Sequence, residues 1–186
     1  MSQFSIFETP IAGLKVIERK PIGDHRGFLA RIFCADQLKS AGWEKSIAQI
    51  NQTVTKKRGT VRGMHFQRPP HAEMKLVSCL QGKILDIAVD LRKNSPTFLK
   101  WHAETLSSEN CRALLIPEGF AHGFQTLTDD CELLYLHSAP YARDYEVGIR
   151  PDDRYLDISW PINFFEISTR DAEHPLLNDQ FTGIEL

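Results

Sequence analysis

The chain has 186 residues, 42% of them apolar and 25% charged, with a formal net charge of −2. That length suits a single domain over 1–186 with a sizeable buried core, and that composition suits a soluble globular protein. The near-neutral balance argues against a general nucleic-acid or polyanion surface, so any anion site must be local.

In chain order, Met1–Glu8 has neither the basic start nor the long apolar run of a signal peptide. No later stretch reaches membrane-spanning length. Short strands are expected at Ile11–Arg19 and Gly27–Phe33, then a helix at Asp36–Ala41 with Asp36 as N-cap and Gly42 as stop. Ser46–Thr55 reads as the next strand, and Gly59–Gln67 alternates polar and apolar residues at strand spacing. Lys75–Leu80 follows, and Gln81-Gly82 reads as a hairpin turn into Lys83–Leu91. In that strand Leu85, Ile87, Val89 and Leu91 share one face, while Ile84, Asp86, Ala88 and Asp90 share the other. Phe98–Leu106, Arg112–Ile116, Gly123–Thr128 and Glu132–His137 complete the set, with breakers at Asn94-Ser-Pro96 and Pro117-Glu-Gly119. The tail after Pro161 is irregular, with room for one short helix. Many short strands between turn signals indicate an all-β sandwich, jelly roll or barrel. The four cysteines (Cys34, Cys79, Cys111, Cys131) are scattered without Cys-x-x-Cys spacing, as expected of reduced core thiols in a cytoplasmic protein.

Polar residues on these strands form two clusters. Arg62, His65, Gln67, His71 and Lys75 surround one strand and the loop at Pro69-Pro70, where a core strand would carry valine and isoleucine. Pro117-Glu-Gly-Phe-Ala-His122 is a turn feeding a histidine into the next strand. A third strand directs Leu133, Tyr135 and His137 to one face, which brings Tyr135 into the same cavity if that face points inward. A metal reading competes with a metal-free one. Cupins often hold a metal with His-x-His, a glutamate, and a histidine after Pro-x-Gly-x-x. Pro117-x-Gly119-x-x-His122 fits the closing half, but the opening half is His65-Phe-Gln67, with an amide where the second imidazole belongs. In the metal-free reading a neutral histidine abstracts a proton, a lysine stabilises the enolate oxygen, and a tyrosine on the opposite face returns a proton. That set is the minimum for inverting a carbon next to a ketone.

At these residues the chain resembles the dTDP-4-dehydrorhamnose 3,5-epimerases. The match runs from about Ile11 to Leu177. It includes Asp24-His-Arg26-Gly27-Phe28, Gln49-Ile-Asn51, Arg62-Gly-Met-His65-Phe-Gln67 and Asp86-Ile-Ala-Val-Asp90-Leu-Arg92. It continues through Ser95-Pro-Thr-Phe98, Ile116-Pro-Glu-Gly-Phe-Ala-His122-Gly-Phe124 and Ile158-Ser-Trp160-Pro161. Several motifs in one order are far more specific than any one of them. The resemblance implies a cupin-type jelly roll (double-stranded β-helix) with few short helices, usually a homodimer, working without a cofactor or metal on a nucleoside-diphosphate sugar. The product would be dTDP-4-dehydro-L-rhamnose, an intermediate toward surface polysaccharide. By the same resemblance His65 is the base, Asp171 the carboxylate that holds its tautomer, Tyr135 the opposed acid, and Lys75 the cation at the enolate. Arg26, Gln49, Asn51, Arg62, His122, Tyr141, Glu146 and Arg170 match positions contacting the nucleotide, diphosphate or sugar, and the two arginines Arg62 and Arg170 suit phosphate oxygens.

Blander readings stand beside these. Asp171 reads on sequence as an exposed acid, His122 as a turn cap and Tyr141 as a surface aromatic. His25, His71 and His102 match no role, and Asp86 and Asp90 read as inward carboxylates anchoring basic partners. The chain also departs from the family pattern. Arg31 stands where the family has a glutamate facing the thymine, and a guanidinium cannot accept the thymine N–H. Base recognition is therefore expected to use another acceptor, such as Glu146, or another nucleotide, such as CDP. Pro151 replaces a common tryptophan and Phe66 a frequent tyrosine. Three further readings compete: epimerisation at C3 or C5 only, a metal-binding cupin enzyme, and a non-catalytic sugar-binding cupin. Strand exchange between subunits through Phe4–Ile11 is a known habit of such jelly rolls, but the residues do not require it.

Overall fold

The computed structural model describes residues 2–164 and 166–186. In chain order its strands are β1 (Phe4–Glu8), β2 (Lys15–Arg19), β3 (Ile22–Asp24), β4 (Gly27–Leu29), β5 (Gln49–Thr55), β6 (Thr60–Gln67) and β7 (Lys75–Gln81). They continue as β8 (Lys83–Asp90), β9 (Trp101–Ser107), β10 (Arg112–Ile116), β11 (Phe120–Thr126), β12 (Cys131–His137), β13 (Glu146–Gly148) and β14 (Glu166–Ile167). The α-helices are single turns, α1 (Ala35–Leu38) and α2 (Thr169–Ala172). No helix among the described residues is long and apolar enough to cross a membrane.

Apart from the separate β3-β4 hairpin, the strands pair into two facing sheets, β1-β2-β10-β7-β12-β5 and β13-β6-β11-β8-β9, with β14 running parallel to β6. Period-two alternation sends every second residue into the space between them. Val77, Leu114 and Leu133 of the first sheet meet Ile84, Ala88 and Phe124 of the second there. The intervening residues are buried as well. Leu76, Leu115 and Leu136 pack under Leu38 and Trp43, and Ile87 and Val89 pack under Ile149, Leu156, Leu177 and Ile184. Each such side chain, fully buried, contributes about 2 kcal/mol. This double cover explains why β8 beyond Lys83 is apolar on both faces except at Asp86 and Asp90. The architecture is all-β, as the alternating pattern indicates, and its two facing sheets form the jelly roll that the family resemblance implies.

Three local expectations need correction. Gln81-Gly82 does not make a hairpin: β7 lies between β10 and β12, whereas β8 lies between β11 and β9 in the other sheet. Gly82, at φ +77°, carries the chain from one sheet to the other, and a Cβ there would lie 2.7 Å from Thr128 Oγ1 and 2.9 Å from Cys131 Sγ. Alternation reports a strand's faces but not its neighbours, so sequence could not tell this crossover from a hairpin. Asp36 is not the N-cap; Cys34 is, with extended backbone and no side-chain cap. Asp36 instead sits in the first turn, where a carboxylate favours the helix dipole. Gly27–Phe33 forms a strand only to Leu29. β1 pairs antiparallel with β2.

β6 and β11 approach unusually closely. Gly63 has φ +124°, and a Cβ there would lie 2.5 Å from Gly123 Cα and 2.8 Å from the His122 carbonyl oxygen. The register between the two strands shifts beside this contact, and His65 lies directly opposite His122. Met64 and Phe66 face the outer cluster, so His65 faces inward.

Candidate active site

Toward one end of the inter-sheet space the inner faces change from apolar to polar and enclose a cavity of about 500 Å³. β5 brings Gln49 and Asn51, β6 brings Arg62 and His65, β7 brings Lys75, β11 brings His122, and β12 brings Tyr135. Tyr141, Glu146, Arg170 and Asp171 complete the predicted part of the lining.

His65 and Asp171, 106 residues apart, meet at 2.7 Å through Nε2 and Oδ1. β14 runs beside β6, and its chain continues into α2, which is capped by Ser168 accepting the Asp171 N–H at 3.1 Å. The cap sets Asp171 against the backbone of β6, where the Gly63 N–H donates to its other oxygen at 3.2 Å. Asp171 is only 2% exposed, which removes the exposed-acid reading. Burial alone would raise its pKa, but the His65 hydrogen bond, the imidazole charge and the Gly63 N–H outweigh that and hold the carboxyl at about 2. Arg170 Nη2 also lies 3.0 Å from His65 Nε2. One nitrogen cannot donate to a carboxylate and accept from a guanidinium at once, and an ionised carboxylate requires the donor. The ring proton therefore belongs on Nε2. Nδ1 keeps its lone pair and has no hydrogen-bond partner among the described residues.

The second histidine carries its own carboxylate. His122 is buried, with Nε2 2.7 Å from Asp86 Oδ1. It is a cavity residue rather than a turn cap, and Asp86 is the inward carboxylate that holds it. Asp90 anchors Arg92, Ser95 and Thr97, as an inward carboxylate should. Tyr135 is stacked on His137 with ring centroids 6.1 Å apart and meets the His122 ring edge-on at 6.0 Å. Burial pushes its phenol pKa up, and the nearby Asp86 charge pushes the same way. Lys75, also buried, lies 3.2 Å from Glu73 Oε1 and donates to the His65 carbonyl at 3.4 Å.

At the rim Glu146 Oε2 accepts from the Tyr141 hydroxyl at 2.9 Å and from Arg170 Nη1 at 3.1 Å, and Arg62 Nε donates to Thr55 Oγ1 at 3.0 Å. Arg26 and Arg31 are the exceptions, since neither lines this cavity. Every residue of β3 and β4 is exposed, Arg26 is bonded to Asp24 beside it, and Arg31 is exposed just after the hairpin. The two arginines lie on a projecting arm, which a motif read along the chain cannot reveal. Gln67 lines the wall, but its amide is occupied by the His71 and Pro140 carbonyls and the Ala142 N–H. His71 packs on Tyr145 outside the lining. Sequence reasoning gave no role to Glu73, His137 or His174, although the alternation of β12 had already aligned His137 with Tyr135.

His65, Asp171 and His174 are the group of described residues whose possible metal-ligand atoms fall within 4.8 Å of one another. The Arg170 guanidinium 3.0 Å from His65 Nε2 opposes a second cation there. His65 and His122, the pair a cupin metal site would join, each point Nε2 at a separate carboxylate.

A jelly roll whose inner cavity combines a carboxylate-held imidazole, a buried phenol and a carboxylate-paired ammonium has the equipment of a proton-transferring enzyme of the cupin class. The comparisons make this specific. The model of the family described as dTDP-4-dehydrorhamnose 3,5-epimerase matches residues 8–179, and the chain belongs to that family. It is 41% identical over 175 residues to the dTDP-4-dehydrorhamnose 3,5-epimerase of Salmonella typhimurium, covering 93% of this chain and 95% of that one. The Bacillus anthracis 3,5-epimerase, crystallised with TDP and pyrophosphate, superposes with a TM-score of 0.90 at 39% identity, covering 94% of this chain and 99% of that chain. The Legionella pneumophila enzyme, crystallised with dTDP-4-keto-L-rhamnose, gives 0.89 at 38% identity, covering 93% and 92%.

Proposed function

We propose that the protein inverts C3 and C5 of dTDP-4-dehydro-6-deoxy-D-glucose, giving dTDP-4-dehydro-L-rhamnose. One observation carries this reading: the His65–Asp171 pair shares a single cavity with Lys75 and Tyr135. Asp171 fixes the Nε2–H tautomer, and the Nδ1 lone pair of His65 takes the proton next to the C4 ketone. Lys75 steadies the oxygen of the resulting enolate, and Tyr135 delivers a proton to the opposite face of the carbon. These steps invert C5; once His65 has released its proton to solvent and Tyr135 has taken one back, the same steps run at C3. Arg62 and Arg170 meet the diphosphate. The chemistry moves only protons, so it needs no redox partner. NMR of the substrate incubated with enzyme in D₂O tests it. Deuterium is expected at both C3 and C5; label at one carbon would restrict the enzyme to single epimerisation, and label at neither would refute the reading.

Nucleotide choice follows from Glu146. Its Oε2 is occupied by Tyr141 and Arg170, which leaves Oε1 to accept the thymine ring N–H in place of the glutamate that Arg31 replaces. Cytosine has no proton at that position. A charged acceptor discriminates by roughly tenfold or more, so calorimetric titration is expected to rank dTDP and UDP above CDP. Equal or tighter CDP binding would show that Glu146 is not the acceptor.

The arm of β3 and β4 supports a homodimer. Ile22, Phe28 and Leu29 are 64%, 68% and 76% exposed, an apolar tip that a lone chain leaves in water. In a dimer that tip packs on a second copy and carries Arg26 and Arg31 toward its cavity. Light scattering is expected to give twice the chain mass of 21.2 kDa; a monomer at assay concentration would refute this. The free thiols of the four cysteines suit a cytoplasmic enzyme.

A further inference from the structure

The register of the first sheet aligns Gln49, His137 and Lys75 in one row across β5, β12 and β7. A chain of hydrogen bonds that reaches this row from Tyr141, by way of Asn51 in the neighbouring row, runs in one sense. The Tyr141 backbone N–H can only donate, and it donates to Gln49 Oε1 at 2.9 Å. Gln49 must then turn its NH₂ onward, and Nε2 donates to Asn51 Oδ1 at 3.1 Å. With its oxygen taken, Asn51 presents Nδ2 to His137 Nε2 at 3.4 Å. That ring nitrogen is therefore an acceptor, and the proton sits on Nδ1, which donates to Glu73 Oε2 at 2.7 Å. Oε1 is left for the Lys75 ammonium at 3.2 Å.

We propose that Glu73 and His137 are positioning residues for Lys75. His137 holds one carboxylate oxygen so that the other fixes the ammonium beside the base strand, with the polarity of the relay set at the Tyr141 amide. Glu73 and Lys75 have side chains only 9% exposed, and a buried ammonium requires a counter-charge close by. Burial alone would raise the Glu73 pKa, but the His137 bond and the Lys75 charge hold it below the usual glutamate range, so the counter-charge is present at neutral pH. The inference rests on the epimerase reading, in which Lys75 faces the enolate oxygen.

Two measurements test it. In ¹⁵N-labelled wild-type protein, His137 is expected to carry its proton on Nδ1 with Nε2 bare; an Nε2–H tautomer would overturn the relay. Glu73→Gln keeps the shape but removes the charge. Its kcat for deuterium exchange is expected to fall about tenfold to a hundredfold. KM should stay within about threefold, and the alkaline limb of the pH profile should move to lower pH because the ammonium has lost its contacting counter-charge and keeps only the charge interaction with Asp86. Glu73→Asp, which keeps the charge, should recover most of the rate. A folded Glu73→Gln protein with unchanged kcat and an unmoved alkaline limb would reduce Glu73 to a core ion pair. If Glu73→Gln does not fold, the tautomer and the Asp variant decide. Wild-type protein that exchanges no deuterium would refute the epimerase reading, leaving the tautomer to judge the relay by itself.

Discussion

His65→Ala is expected to lower deuterium incorporation into the 4-keto sugar by about 10²- to 10⁴-fold, the range over which a positioned general base contributes. Asp171→Asn should come close to it, for a reason specific to this site. The Gly63 N–H donates to Oδ2, so an asparagine must keep its oxygen there. Its NH₂ is then forced to the Oδ1 position, 2.7 Å from His65 Nε2. A donor at that point drives the ring proton to Nδ1, and the base loses its lone pair without any loss of shape. With its pKa held at about 2, the native carboxylate stays ionised throughout the working pH range and keeps the Nε2–H tautomer in place. NMR exchange rates, read alongside thermal melts that establish folding, check both variants. An Asp171→Asn protein retaining more than about a tenth of wild-type exchange would sink the tautomer argument.

Much of this site was legible along the chain because strand alternation is a local property. Leu133, Tyr135 and His137 fall on one face by spacing alone, and the structure keeps Tyr135 and His137 on the cavity wall. His65 stood out as a polar residue where a strand should be apolar. Asp171 did not, because its burial depends on β14 lying beside β6, a pairing of segments about a hundred residues apart that leaves no periodic trace. Only the family motif singled it out. Glu73 lies in the loop before β7 and becomes informative once the register sets Lys75 opposite His137. The crossover at Gly82 and the position of Arg26 and Arg31 away from this chain's own cavity left no trace along the chain for the same reason. Which strand neighbours which, and which segments turn away from the cavity, are non-local facts.

Tyr135→Phe separates the two halves of the reaction. The aromatic ring is retained, so the stack on His137 and the edge contact with His122 survive, and the fold should tolerate the change with a small shift in melting temperature. Only the O–H is lost. Burial and the Asp86 charge both disfavour the phenolate, so in the resting enzyme Tyr135 holds a proton to give and cannot serve as the base. An enolate is basic enough to take that proton, with Arg62 near enough for its charge to offset the phenolate left behind. Without the hydroxyl, His65 can still remove the proton and return a solvent deuteron to the same face, which gives exchange with retained configuration. Washout at the first carbon should remain within about tenfold of wild type, while inverted product falls by about 100-fold or more. The ratio of exchange to inversion is the quantity to measure, because a general loss of substrate binding lowers both together and leaves the ratio fixed. A parallel fall in exchange and inversion would remove Tyr135 from the acid's role and require another donor on that face.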